Sequence, residues 1–135
     1  MAKRWLIMMT PDNVVKCENG TKTNTRRTNA RLAGIKTGDE IYYRSNYKTT
    51  YKTASGPYLA TEDARWENLQ DISEEDAKAE GCHPDWDDFG VDGAVKIETA
   101  SAKTNFILLW DSIYAKKGQG WEKNLRVLRI AFKKL

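Results

Sequence analysis

Residues 5–27 read WLIMMTPDNVVKCENGTKTNTRR, and the character of the chain changes twice along them. The apolar run from Trp5 to Met9 has the length of a β-strand, and Pro11 stands where a helix can begin. Residues 13–18 continue that helix, and Gly20 is placed to end it. The polar, threonine-rich segment that follows favours extended structure over helix. The stretch therefore predicts a strand, a short helix and an extended basic segment in succession.

Further strands and loops are predicted beyond this stretch. Lys36-Thr37-Gly38-Asp39 is a turn signal, and Glu40-Ile41-Tyr42-Tyr43-Arg44 after it has the composition of a strand. Residues 45–61 mix Tyr, Thr, Lys, Gly and Pro, which indicates a hairpin or a mobile loop. Residues 82–100 carry a proline, two glycines and many aspartates, which is typical of an excursion from the core. Residues 125–132 alternate in part between apolar and polar side chains and predict a final strand.

Two more helices are expected. Ser73 is a good N-cap for a short helix over residues 74–80, whose acidic first turn suits the helix dipole, and Gly81 is placed to stop it. Apolar residues recur at helical spacing over residues 104–115, which is the clearest helical pattern in the chain. Strands separated by short helices predict an α/β or α+β fold, with a small barrel-like sheet and helices packed outside it. We expect residues 1–135 to form a single domain.

Composition limits the classes of function. The chain has 135 residues, of which 40% are hydrophobic and 30% charged, as in ordinary globular proteins. Its two cysteines lie far apart and outside any CxxC pair, so neither a disulfide framework nor a structural zinc site is indicated. The apolar run near the N-terminus is too short for a signal peptide core or a membrane span. These features predict a cytoplasmic protein with no membrane partner, no bound metal and no cofactor.

Charge is distributed unevenly along the chain. The net charge is +3, but residues 1–36 and 99–135 each carry +6, whereas residues 62–98 carry −10. Two basic segments flanking an acidic one predict either a phosphate-facing basic surface or a solvated surface whose charges pair internally. Charge alone favours neither interpretation.

The basic segment from Gly20 to Arg27 is the first candidate site. It packs three cations and three hydroxyls into eight residues, which suits contact with an anion or a nucleotide but also a solvated basic strand. Side chains alternate in an extended chain, so Lys22, Asn24 and Arg26 would share one face and Thr23, Thr25 and Arg27 the other. Lys22 and Thr25 then share a site only if the chain turns between them. The glycine pattern is not that of a phosphate-binding Walker loop.

Two other groups of residues carry weaker signals. Cys82 and His83 precede several aspartates, but a tetrahedral metal site normally needs more nitrogen or sulfur ligands, and adjacency in sequence does not make a catalytic Cys–His pair. The acidic stretch is better interpreted as a solvated loop. Phe106, Trp110 and Tyr114 have the chemistry to stack on a base, although aromatic residues at helical spacing more often belong to a core.

Three stretches together resemble the ASCH family of small domains with a PUA-like β-barrel. They are Gly20-Thr21-Lys22 through Arg27, which matches a GxKxxTxR-like pattern, then Lys36-Thr37-Gly38-Asp39, and residues 69–81, LQDISEEDAKAEG. The last stretch, with residues 109–114 and the Gly120-Trp121 turn, is especially similar to ASCH-like proteins of tailed phages and prophages. The resemblance implies an α+β, PUA-like barrel with short helices outside, and a role with RNA or nucleotides.

One bacterial branch of that family hydrolyses the acetamide of N4-acetylcytidine with a lysine, a threonine and a glutamate. Matching the sequences places these residues at Lys22, Thr25 and Glu80. Thr25 would be the nucleophile, Lys22 the base or an electrostatic partner, and Glu80 a proton donor or orienting group. Nearby arginines would favour a neutral lysine, and a close Glu80 carboxylate a charged one.

The resemblance leaves the function open among three hypotheses. The first is an amidohydrolase acting on N4-acetylcytidine-type modified pyrimidine nucleosides, with Gly20, Thr23, Arg26 and Arg27 contacting the substrate. The second is a non-catalytic module that binds RNA, or alternatively DNA, through backbone phosphates. The third is a ribonuclease that cleaves single-stranded RNA. Convergence of Lys22, Thr25 and Glu80 in a cleft would favour the enzyme.

Overall fold

The computed structural model describes residues 2–46, 50–89 and 95–135, which contain eight strands and three α-helices. The strands are β1 (Arg4–Met8), β2 (Asn24–Arg27), β3 (Glu40–Arg44), β4 (Ser55–Ala60), β5 (Arg65–Asn68), β6 (Asp85–Phe89), β7 (Val95–Ala100) and β8 (Arg126–Lys134). The helices are α1 (Pro11–Glu18), α2 (Glu74–Ala79) and α3 (Ala102–Tyr114). Parts of the predicted 45–61 loop and of the 82–100 excursion, namely residues 47–49 and 90–94, lie outside the described residues.

The main sheet is organised around β8. Strands β4 and β5 pair antiparallel with successive parts of β8, and β2 pairs with its opposite edge, so that Arg129 lies between Arg26 and Arg65. Strand β3 joins β4 antiparallel, and β1 joins β3 in parallel. The order is β1-β3-β4-β8-β2, with β5 also on β8. The α+β class is therefore confirmed, and among the described strands the sheet is open between β1 and β2 rather than closed.

Two clusters of buried side chains form the core. The first lies against the six-stranded sheet and includes Ile7, Ile41, Tyr43 and Ile130. The second lies between α2, α3 and the beginning of β8, where Ala77, Phe106, Trp110 and Val127 pack together. Strand β8 contributes to both clusters, so it joins the sheet to the helical layer.

Local side chains set the first residues of the helices. Pro11 is the first residue of α1, where its missing N–H costs nothing. Ser73 caps α2 by accepting a 3.0 Å hydrogen bond from the Asp76 amide. The Glu74 carboxylate accepts bonds of 2.9 Å from the amides of Ala102 and Lys103 and so ties α2 to the first turn of α3. These amide bonds also lower the pKa of Glu74.

The prediction of a loop over residues 82–100 is wrong in part. This stretch leaves the main sheet as expected, but β6 and β7 pair antiparallel into a separate two-stranded sheet. Strand β5 was not expected either, and it forms because β8 offers it an edge. Within residues 2–46, 50–89 and 95–135, no helix has the length and apolar composition that a membrane crossing requires.

Candidate functional site

The end of α2 meets the segment before β2 through Glu80 and Lys22. Both residues are 4% exposed. Lys22 Nζ donates to the Glu80 carbonyl oxygen at 2.8 Å and to Glu80 Oε1 at 3.1 Å. A lysine ammonium has three N–H groups, and Glu80 accepts from two of them. The expected approach of Lys22 and Glu80 is therefore observed across 58 positions of sequence.

Backbone contacts hold this pair in place. The Lys22 amide donates to Lys16 O at 3.0 Å, and the Thr23 amide donates to Ala79 O at 2.7 Å. Gly81 follows Glu80 with a φ of +93°, and a Cβ built there would lie 2.9 Å from Lys16 Cδ and 3.3 Å from Lys22 Cβ. The left-handed backbone favours glycine here, because an L side chain would be strained in this region. A Cβ would also require Lys16 to move and Lys22 to shift by a few tenths of an ångström.

Arg26 lies on the other side of Glu80 in a buried ion network. Its Nη1 donates to Glu80 Oε2 at 2.9 Å, its Nε donates to Glu67 Oε1 at 2.6 Å, and its Nη2 lies 3.2 Å from Asp76 Oδ2. Burial opposes the charge, but the carboxylates of Glu80 and Glu67 outweigh it and raise the pKa of Arg26. Its side chain has no exposed surface. Arg26, expected to contact substrate, is therefore occupied by carboxylates of the protein.

Thr25 and Arg27 form a second contact on the same strand. Arg27 Nε donates to Thr25 Oγ1 at 3.0 Å, and Arg27 Nη1 donates to Met8 O at 2.8 Å. Thr25 is only 3% exposed. The alternation of β2 thus separates Arg26 from Arg27, as the extended segment predicted. Lys22 precedes β2 and is free of this alternation.

These residues line one pocket of about 360 Å³, which is within the range of small-molecule sites. Lys22, Thr25, Arg26, Arg27 and Glu80 form its polar side. The facing side is apolar and comes from α3, through Phe106, Leu109, Trp110, Ile113 and Tyr114. Met8 to Pro11, Asn13, Ser45 and Lys117 complete the lining among the described residues.

The aromatic side chains of α3 belong both to the core and to the pocket. Phe106 and Trp110 are buried in the second core cluster and also line the cavity. Tyr114 stacks on Trp110 with ring centroids 4.1 Å apart. Trp110 Nε1 donates to Gln119 O at 2.9 Å, so its polar group is satisfied inside the protein. The pocket wall formed by α3 therefore carries aromatic side chains held by packing and by a hydrogen bond.

Other predicted residues occupy different positions. Gly20 and Thr23 are not among the described residues that line the pocket. Gly20 turns the chain with a φ of +81°, and Thr23 is exposed while its backbone bonds to Ala79 and Phe132. His83 is also exposed. In the described part of the chain, no three His, Cys, Asp or Glu side chains are grouped to hold a metal ion.

The two cysteines are buried thiols near the site. Burial raises the pKa of Cys17 to about 11, and it also raises the pKa of Cys82. Cys17 Sγ lies 3.5 Å from Met9 Sδ. Since the thiolate is the nucleophilic form of cysteine, neither residue is suited to act as a nucleophile at neutral pH.

Sequence reasoning missed several residues of the site. Glu67 and Asp76 complete the partners of Arg26, and Leu109 and Ile113 contribute to the apolar wall. Asp76 was noted only as a helix-dipole residue. The helical spacing of α3 did indicate one apolar face, but spacing alone cannot tell a core face from a pocket wall.

Solved structures of similar fold were found, although no family model and no curated protein matches the sequence. The hypothetical protein PH0355 is 14% identical with a TM-score of 0.60, over 98% of this chain and 99% of that one. EF3133 from Enterococcus faecalis V583, of the DUF984 family, is 12% identical with a TM-score of 0.59, over 100% and 82%. An ASCH domain from Lactobacillus crispatus JV V101 is 10% identical with a TM-score of 0.53, over 96% and 79%. The chain therefore has an ASCH-like fold.

Proposed function

We propose that this protein binds an N4-acylated pyrimidine nucleoside, such as N4-acetylcytidine, and hydrolyses its exocyclic amide. The observation that carries the proposal is the buried contact between Lys22 and Glu80, at 3.1 Å, in a pocket that Thr25 also lines. A nucleophile, a cation and a carboxylate lining one cavity are the groups that amide hydrolysis needs. The ASCH-like fold supports a nucleoside or RNA as the ligand class.

The shape and polarity of the pocket favour a base over a phosphate backbone. A planar ring fits against the aromatic wall of α3, where stacking is worth about 1–3 kcal/mol per base. Backbone phosphates need exposed cations, but Arg26 is enclosed by carboxylates and Lys22 is almost completely buried. This distribution supports an enzyme pocket over a phosphate-gripping groove.

Each polar residue has a role in this proposal. Lys22 directs its remaining N–H at the amide carbonyl oxygen and stabilises the negative charge that develops there. The Thr25 oxygen attacks the carbonyl carbon, the C–N4 bond breaks, and the hydroxyl proton ends on the leaving N4 amine. Glu80 is the carboxylate of the pocket that accepts this proton and delivers it to the amine. Water then hydrolyses the threonyl ester, which releases acetate and restores the hydroxyl.

Release of acetate from N4-acetylcytidine tests the proposal directly. The wild-type protein is expected to release acetate, and Lys22→Met is expected to lower kcat/KM by at least about 10²-fold, as loss of one oxyanion donor does. Lys36→Met is the matched control, because Lys36 is exposed and lies 4.0 Å from Asp63 at the surface. Thermal unfolding of both variants separates lost chemistry from lost fold. The absence of turnover on acetyl- and longer acyl-cytidines would argue against the proposal.

The same experiment addresses the binding and ribonuclease hypotheses. Binding of the nucleoside without acetate release would favour the second hypothesis, a non-catalytic module that binds RNA or modified nucleosides. In that case, affinity for single-stranded RNA should fall with added salt in proportion to the phosphates contacted. Shortening of a labelled RNA would instead identify a ribonuclease.

A further inference from the structure

The Thr25 hydroxyl has an unusual neighbour for a buried threonine. Thr25 and Arg27 are two positions apart on β2, so their side chains project from the same face of the strand. Arg27 Nε reaches Thr25 Oγ1 at 3.0 Å, and Nη1 of the same planar group reaches Met8 O at 2.8 Å. The guanidinium is therefore fixed at two points, one on β2 and one at the end of β1.

The direction of this hydrogen bond has a chemical consequence. Arginine only donates, so the Thr25 oxygen is the acceptor and its own proton is not used by Arg27. A cation that donates to an oxygen favours the negatively charged form of that oxygen. The contact thus stabilises an alkoxide more than a hydroxyl and leaves the proton free to depart.

Arg27 differs in this respect from its neighbour Arg26. The Arg26 charge is compensated by three carboxylates, from Glu80, Glu67 and Asp76. Arg27 instead donates to a hydroxyl and to a carbonyl oxygen, both uncharged. The positive charge of Arg27 is therefore directed at Thr25 rather than at an acid.

We infer that Arg27 is a positioning residue that holds Thr25 Oγ1 and stabilises the charge that develops on it as its proton leaves. This inference rests on the proposed function and assigns Arg27 to the nucleophile instead of the substrate. In the attack step the O–H bond of Thr25 breaks, its oxygen bonds to the carbonyl carbon, and the proton passes to the departing N4 amine. Arg27 exchanges no proton in this step.

A thiol introduced at position 25 reports on Arg27 without any substrate. In Thr25→Cys, thiolate absorbance near 240 nm is followed against pH, and the signal of the parent protein is subtracted to remove Cys17 and Cys82. Adding Arg27→Gln should raise the pKa of the introduced thiol by about one to three units, the usual effect of a neighbouring cation. Adding Arg31→Gln removes an exposed positive charge whose guanidinium lies 5.8 Å from the Trp5 ring centroid and should leave that pKa unchanged.

Arg27→Lys keeps the charge but loses the planar fork. The pKa of the introduced thiol should then lie between its values in the Arg27 and Arg27→Gln proteins. Circular dichroism verifies the fold of each variant. Equal thiol pKa values with arginine and lysine, or with arginine and glutamine, would overturn the inference. In the threonine protein, Arg27→Gln should lower kcat by about 10²-fold with little change in KM.

The two readouts separate this inference from the proposed function. A thiol pKa that depends on Arg27 supports the coupling even if no acetate is released, in which case only the amidohydrolase proposal fails. Acetate release by the threonine protein, together with a thiol pKa in Thr25→Cys that does not change on Arg27→Gln, would support the proposed function and overturn the role of Arg27.

Discussion

At the scale of single residues, Arg26 is a buried charge that stabilises the fold instead of contacting a ligand. Its guanidinium is enclosed and faces Glu80, Glu67 and Asp76. Replacing it by methionine leaves several carboxylates without their cation inside the protein. We expect Arg26→Met to lower the free energy of unfolding by about 3–5 kcal/mol, as breaking a buried ion pair does.

Urea denaturation measures this effect, and Lys36→Met again provides the comparison. The Lys36–Asp63 pair is exposed to solvent, so its removal should change the free energy of unfolding far less. Equal stability losses for the two variants would mean that the network around Arg26 is not a determinant of the fold.

Strand alternation predicted part of the arrangement on β2. It placed Arg26 and Arg27 on opposite faces, and the two have different partners, but both line the same pocket. Only the family resemblance predicted that Glu80 is a partner of Lys22, because no periodic rule links residues 58 positions apart. The approach of Glu67 to Arg26 depends on both β2 and β5 pairing with β8, which no local pattern encodes.

At the scale of secondary structure elements, the end of α2 positions the site. Gly81 has a φ of +93° and lies close to Lys16 and Lys22, whereas Gly118 has a φ of +73° and open space around it. Gly118→Ala should cost about 1 kcal/mol from backbone strain alone. Gly81→Ala should cost more and should also lower acetate release, because its Cβ displaces Lys22.

Thermal unfolding and turnover of the two alanine variants check this expectation. A Gly81→Ala protein with full activity would show that the Lys22 position tolerates displacement.

Helix ends were predictable because caps are local: Ser73 and Gly81 both act as expected. Strands β5 and β6 were not predicted, since RWEN and DWDDF are mostly polar, and β7 was not predicted although VKIETA begins with alternating apolar and polar residues.

At the scale of the whole molecule, charge pairs across the chain. Arg26 and Arg129 belong to the two basic segments, and they contact Glu62, Glu67, Asp76 and Glu80 of the acidic one. The interpretation in which charges pair internally is therefore observed for these residues. Net charge by segment favoured neither a basic phosphate-facing surface nor internal pairing, because it does not say which charged groups approach each other.

Stability in acid depends on Asp39, whose pKa is set by burial on one side and by hydrogen bonds on the other. Burial raises its pKa, but the amides of Lys3 and Lys36 and the Trp5 indole N–H outweigh it and hold the pKa below the ordinary value of 3.8. A carboxylate with a lowered pKa stabilises the fold above its ordinary pKa, and this contribution is lost as pH falls through the folded value. Asp39→Asn should therefore be less stable than wild type at pH 6, and the difference should shrink below about pH 3.8.

Denaturant midpoints measured from pH 6 down to pH 2.5 test this expectation. A constant difference between wild type and Asp39→Asn over that range would contradict it. The three donors to Asp39 come from the start of β1 and from the turn before β3, so the measurement reports on how these two strands are held together.

The position of β8 has a consequence for protein synthesis. Strands β2, β4 and β5 all precede β8 in the chain, and each of them pairs with it. Ribosomes extend chains from the N-terminus, so these strands wait for their common partner until residues 126–134 have emerged from the exit tunnel. Until then their unpaired edges are open to neighbouring chains. Assembly of this sheet is therefore delayed until β8 is available, and chains truncated before β8 should expose three unpaired strand edges.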